Sequence, residues 1–332
     1  MAKAVKIWLI IAGALVALGL IVVFIALLKG GFDPSALSNK KFETNTVTFD
    51  SKEASIVEKI DIDTQTADIV FARSESEDIR VDCYEEENQR HKVTLSGGTL
   101  SITSNDQRKN WFDYISFFSF STPKITVYLP QKEDSAPSYT LTINESTGDI
   151  DLPDDLSFDT VDINATTGDV RCFSPIADHA EIKLSTGDIT FESPLVHSLD
   201  LTATTGDIAV SDVTCDGDIN INATTGDIEL QNVRCRGNIF CEGSTGRTAL
   251  KDTDAAGGMT LKRSTGDILF DHSDAGELFV TTTTGSVRGT LLTEKIFFAE
   301  TSVGSVDVPK TTSGGRCEIT TTTGSIDIRI EP

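Results

Sequence analysis

Basic residues are scarce in this sequence. Lysine and arginine number 28 against 51 aspartates and glutamates, a formal net charge of −23 over 332 residues. Nucleic-acid binding needs a basic footprint, so that class is excluded. The surface instead repels itself and attracts cations or basic partners. Histidine occurs four times, as His91, His179, His197 and His272, with no shared column or motif spacing. That leaves neither a metal-ligand pattern nor a Ser-His-Asp arrangement. Proline is rare and aromatics make up 7%, yet glycine and threonine recur in order, which is not a disordered composition. No cofactor motif stands out, and the chain reads as a non-enzyme.

Uncharged apolar sequence is confined to one place. Residues 7–28, IWLIIAGALVALGLIVVFIALL, form a run of 22 residues. At about 1.5 Å per residue it reaches about 33 Å, enough for a hydrocarbon core of about 30 Å. No small-residue cleavage site follows, so the run predicts a retained transmembrane anchor rather than a signal peptide. Lys3 and Lys6 favour a short cytoplasmic tail, residues 1–6, and Lys29, Lys40 and Lys41 on the far side weaken that bias. Residues 29–45 read as a polar linker, and the acidic remainder as extracytoplasmic.

What the chain has in abundance is one short phrase. TTGDI or a close variant returns with its glycine at 148, 168, 187, 206, 226, 246, 266, 285, 304 and 324, at intervals of 19 or 20 residues. Such a period marks a repeat architecture whose units bury their apolar faces against neighbours. Within one unit, LDLTATTGDIAV at 199–210, apolar and polar residues alternate on both sides of the Gly-Asp corner, which is the pattern of half-buried strands. Six places before the second Thr stand Leu141, Val161, Ala180, Leu199, Ile219, Ile239, Met259, Leu278, Phe297 and Cys317. Three places after it stand Ile150, Val170, Ile189, Ile208, Ile228, Thr248, Ile268, Val287, Val306 and Ile326, so Thr248 is the lone polar member of two inward ladders. The motif Thr is expected inward as well, because Val303 replaces it once.

The expected fold is all-β: a parallel β-solenoid, right-handed by the crossover rule, with coils of about 20 residues stacked in sequence order about 4.8 Å apart. Regular repeats span 141–332. Residues 46–140 form irregular opening coils and a cap, with Ala67-Asp68-Ile69 as a degenerate first corner.

The [ST]TG[DS][IV] coils, the N-terminal apolar run and the stretches TADIVF and GGTLSI resemble the bacterial putative-adhesin family of LiaG-like envelope proteins, over roughly residues 46–330. The resemblance implies a β-solenoid on the outer side of a bacterial plasma membrane, in some members linked to envelope stress. It transfers no catalytic residue. The expected function is binding or sensing at the cell envelope, through a protein or glycan partner, with a ligand-free spacer as the alternative and a glycan-active solenoid further off.

Three features carry candidate chemistry. Asp149, Asp169, Asp188, Asp207 and Asp227 follow the corner glycines and make a file of carboxylates, one per coil. Neighbouring charges would repel by about 0.9 kcal/mol in water, which Ca²⁺ would relieve, although it wants six to eight oxygens. Ser replaces Asp at 286, 305 and 325, which favours a shared hydrogen-bonding role instead. Arg247 stands in the same file as a built-in counter-charge. Second, Cys215 and Cys235 lie one coil apart in one column, shared with Ile176 and Leu195, within disulfide reach or else as core thiols. Cys172, Cys241 and Cys317 take inward apolar positions. Third, Trp111, Phe112, Tyr114, Phe117, Phe118 and Phe120 cluster in an aromatic-poor chain, as a cap over the core or as a patch for a partner.

Overall fold

The structure, a computed structural model, describes residues 42–87, 89–106, 122–131 and 139–331. The expected anchor, residues 29–41 of the linker, and the aromatic cluster Trp111, Phe112, Tyr114, Phe117, Phe118 and Phe120 lie outside the described residues. Among the described residues no helix is long and apolar enough to cross a membrane.

Stacked coils of about 20 residues build the molecule, and its ten corner glycines enclose about nine turns. Each coil lays its strands parallel to those of its neighbours. Leu141, Val161, Ala180, Leu199, Ile219, Ile239, Met259 and Leu278 pair in an unbroken register across the first side. Ile150 through Val287 do the same across the second. A short third side pairs Cys215 with Cys235 and Cys235 with Ala255. These ladders form one continuous apolar interior. The period therefore does what it predicts: identical columns place like on like, and each coil buries its inner face on the next.

Three kinds of corner turn the chain. The first is the Gly file, with φ between +130° and +155°. The second places Asp212, Asn232, Asp252 and His272 at φ between 47° and 55°, a left-handed conformation that Asn, Asp and His tolerate best among residues with side chains. His272 thus belongs to a structural column. At the third, Gly217 and Gly237 stack beneath Gly257.

The opening coils also obey the register. Ala67 donates its N–H to the Thr147 carbonyl, and Asp68 Oδ1 accepts from the Asp149 amide, so Ala67-Asp68-Ile69 is the first corner. Beyond it the stack ends in antiparallel pairing. Gln89–Ser96 runs against Thr99–Asp106, and Phe42–Phe49 and Lys124–Leu129 flank Ile79–Glu86. Reversed strands break the template for further coils at this end.

Three expectations are corrected. The motif Thr points outward: Thr147, Thr167, Thr186, Thr205 and Thr225 are exposed, as is Val303. Alternation breaks just before the glycine, so two consecutive residues face solvent and the inward place falls to the residue before them. Val196, not Leu195, stands in the Cys215 column. Finally, the coils are not stacked in sequence order at the C-terminal end. Cys317 pairs with Leu278 on one side and Phe297 on the other, so Gly315–Thr323 lies between two coils that precede it in sequence. The chain skips one layer and returns to fill it. Apolar columns permit this, since Leu278, Phe297 and Cys317 are interchangeable as inward neighbours. A buried ion pair clamps it: Lys295 Nζ lies 2.6 Å from Asp274 Oδ1, reaching across the inserted coil where Gly315 leaves room.

Candidate functional site

The acidic file has a clear local job. Asp149, Asp169, Asp188 and Asp207 each use Oδ1 to accept the backbone N–H of the next Asp in the stack, at 2.8–3.0 Å. Asp227 does the same for Arg247, and Asp267 for Ser286. A corner amide that finds no partner within its coil is thus satisfied by the coil before it. Ser serves the same purpose, with Ser286 Oγ accepting from the Ser325 amide at 3.2 Å. Cations sit within the file: Arg171 reaches Asp151 at 3.3 Å and Asp169 at 3.2 Å, and Arg247 reaches Asp227 at 3.4 Å. Replacing Asp207 with Ala is expected to cost about 1 kcal/mol, the worth of a lost cap, and Asp207→Ser to recover part of it. Urea midpoints at unchanged slope would measure both.

One buried cation was missed by sequence reading, although two column exceptions announce it. Arg263 is 3% exposed and faces the interior. Its Nε donates to Thr248 Oγ1 at 2.8 Å, Nη1 to the Ala223 carbonyl at 3.2 Å and Nη2 to the Arg247 carbonyl at 3.1 Å. Thr248 is the polar exception in its ladder because it answers this guanidinium. Gly243 is its other accommodation, since a Cβ there would stand 2.1 Å from Nη1. Arg263→Leu alone should cost about 1–3 kcal/mol, leaving the Thr248 hydroxyl unanswered. Adding Thr248→Ile should return stability to within about 1 kcal/mol of the parent or above it. A double-mutant cycle in urea reads the coupling directly.

Cys215 and Cys235 face each other across adjacent strands, as their spacing predicts, and are free in this structure. Their thiols donate to the His197 and Gly217 carbonyls at 3.3 and 3.1 Å. Cys172, Cys241 and Cys317 are buried where the ladders place them.

On the outer face, Asp200, Thr202, Asn220, Asn222, Phe240 and Glu242 line a shallow groove of about 320 Å³. Asn220 Nδ2 donates to Asp200 Oδ1 at 2.8 Å, which fixes the floor. Phe240 heads a column that continues through Thr260, Phe279, Glu318 and Phe298. Its aromatic rings recur at every second coil, about 9.6 Å apart. Arg316 lies 5.9 Å from the Phe279 ring centre and 5.2 Å from that of Phe298.

The opening coils hold a polar cluster that the period could not reveal. Glu85 and His91, with side chains 1% and 3% exposed, meet at 2.9 Å through Oε2 and Nδ1. His91 Nε2 lies 2.8 Å from Thr64 Oγ1. The His91 amide donates to Oε2 at 2.7 Å, and Asn45 Nδ2 donates to Oε1. Burial alone would raise the Glu85 carboxyl, but hydrogen bonds from His91 and Asn45 overcome it and hold the group below its usual value. Cys83 completes the group, its thiol pushed up to about 12 by burial and by the Glu85 and Asp82 carboxylates. Hydroxyl, imidazole and carboxylate here stand in the order of a hydrolase relay, a Thr-His-Glu set that sequence spacing does not reveal. Thr64 is 3% exposed, however, so its hydroxyl meets core and not solvent.

Repeated corners, interchangeable columns and a flat outer face define a β-solenoid repeat protein. The chain belongs to the Toastrack DUF4097 family, whose model matches residues 57–258 and 216–332. It is similar to the crystal structure of a putative adhesin from Parabacteroides distasonis, at 11% identity and a TM-score of 0.38, covering 87% of this chain and 98% of that one. A putative adhesin from Parabacteroides merdae is similar at 12% identity and a TM-score of 0.33, with 88% and 98% covered. A putative lipid binding protein from Parabacteroides distasonis follows at 14% and 0.31, with 86% and 97% covered. No curated protein matches the chain.

Proposed function

We propose that this chain is a non-enzymatic binding module of the bacterial cell envelope, a right-handed solenoid held outside the plasma membrane by residues 7–28 with its N-terminus inside. The observation that carries the binding role is the outer groove. Carboxylate, amide and hydroxyl groups at Asp200, Asn220, Asn222 and Thr202 sit beside the Phe240 ring, and the aromatic column continues at alternate coils. Flat apolar rings flanked by fixed polar groups suit a glycan, whose sugar faces stack on rings while its hydroxyls take the hydrogen bonds. The aromatic residues 111–120 remain a candidate second patch. In this reading the corner carboxylates organise backbone amides, and Ca²⁺ is the lesser role for them.

The test uses the full chain in detergent micelles, mixed with insoluble cell-wall glycan and sedimented. Retention that falls at least tenfold in Phe240→Ser with Asn220→Ala, at unchanged melting temperature, is the expected result. No retention of the parent would favour the alternative, a spacer that only holds other surfaces off the membrane. Ca²⁺ is checked beside it: a melting temperature unmoved by chelation removes the cation role. The Cys215–Cys235 bridge is a further proposal, checked by counting free thiols in the unfolded, non-reduced protein: six exclude it and four support it.

A further inference from the structure

We propose that Cys83, Glu85 and His91 form a binding site for one divalent transition-metal ion, with Zn²⁺ as the ion their donor chemistry suits. Among the described residues, these three make the group in which a thiol sulfur, a carboxylate oxygen and an imidazole nitrogen all lie within 4.8 Å of one another. None of the three belongs to the 20-residue period. They are brought together by antiparallel strands: Cys83 and Glu85 on the inner face of Ile79–Glu86, and His91 on Gln89–Ser96.

The donor set is chemically selective. Sulfur, nitrogen and oxygen together match Zn²⁺, whereas Ca²⁺ and Mg²⁺ take oxygen alone. Charge fits as well: a thiolate and a carboxylate neutralise a divalent cation, and the resulting group is uncharged in a buried setting where a net charge would be costly. Binding exchanges the Cys83 S–H bond for an S–metal bond and releases one proton to solvent.

The nitrogen–oxygen distance fits with a small adjustment, and the Cys83 sulfur lies within 4.8 Å of both atoms. Tetrahedral Zn²⁺ with N and O ligands at about 2.0–2.1 Å holds them about 3.3 Å apart. Glu85 Oε2 and His91 Nδ1 stand at 2.9 Å, so the pair opens by a few tenths of an ångström. Thr64 supplies the support such a histidine needs. Nδ1 donates to Glu85 Oε2 in the metal-free site, so for the ion to take Nδ1 the ring proton moves to Nε2, where the Thr64 hydroxyl 2.8 Å away accepts it and fixes the ring. Asn45 holds the other Glu85 oxygen and so orients the carboxylate. These contacts also explain why a core that elsewhere selects Ile and Val keeps three polar side chains here.

Titration of the chelator-stripped full chain with Co²⁺ tests the site, since Co²⁺ in a thiolate-containing tetrahedral site gives intense visible bands and a sulfur charge-transfer band. The expected result is saturation at one Co²⁺ per chain, displacement by Zn²⁺ and not by Ca²⁺, and loss of both bands in Cys83→Ser. His91→Gln should weaken binding at least tenfold, and Cys215→Ser with Cys235→Ser should leave the spectrum intact. Zn²⁺ should raise the melting temperature of the parent and not of Cys83→Ser. Should a variant fail to fold, the parent titration still decides: no charge-transfer band at one equivalent of Co²⁺ overturns the site. Bands that survive in a folded Cys83→Ser, or vanish in the 215/235 variant, overturn it equally.

Discussion

Replacing Gly206 with Ala is expected to destabilise the solenoid by about 4 kcal/mol. Gly206 sits at φ +141°, where a side chain is strained whatever the space, and its added Cβ would stand 1.9 Å from the Gly187 carbonyl oxygen. Strain of this kind costs roughly 1–3 kcal/mol and overpacking roughly 1–3 more. Relief requires the two coils to separate, but the Gly187 amide already bonds the Thr205 carbonyl at 3.0 Å, and the Asp207 and Asp188 pair bridges the same two layers. Gly97→Ala is the control. It too has positive φ, +57°, yet nothing lies within 4 Å of the added atom, so about 1 kcal/mol is expected. Urea unfolding followed by circular dichroism compares them. A Gly206 variant that unfolds with its control would mean that the corners are not packed against one another.

The same close approach explains why so much of the fold is legible in sequence. A backbone carbonyl under every corner admits only glycine, and an inward column admits only apolar residues, so both leave a 20-residue period. Ala67 departs from the glycine rule yet takes its place because it opens the file, with Gly148 stacked against its carbonyl. Other features left no period to read. Leu278, Phe297 and Cys317 satisfy their column in any order, so the out-of-order C-terminal coil follows from Lys295, Asp274 and Gly315 instead. The direction of the motif Thr depends on where alternation breaks, which Val303 suggested wrongly. Cys83, Glu85 and His91 sit on strands that reverse direction, so column arithmetic never brings them together. Thr248 did signal Arg263, but only once Gly243 and Arg263 are seen in the next columns of the same neighbourhood.

Among the described residues, Glu145 supplies the strongest pH dependence expected. It occupies the inward corner position that Ala165, Leu184 and Ala203 fill in the following coils. It is 5% exposed; Oε1 accepts the Ala67 amide at 3.2 Å, and Oε2 is buried with no hydrogen-bond partner. Burial is the main cause that pushes its carboxyl from 4.5 to about 8, with Asp68 and Asp149 adding to it and the Ala67 amide opposing it. A carboxyl raised in the folded state means that the native protein holds a proton the unfolded chain releases. Stability from this group is therefore intact below about pH 4.5, declines as pH rises, and is fully lost above about pH 8. At about 1.36 kcal/mol per unit the decline is roughly 4–5 kcal/mol. Glu145→Ala should abolish it at little structural cost, because Ala stands in the equivalent place one coil on and the Ala67 amide keeps the Thr147 carbonyl. Unfolding free energies at pH 5 and pH 8.5 give the comparison. The parent should lose several kcal/mol relative to the variant between them, and parallel curves would show that the carboxylate is solvated or paired in the folded protein.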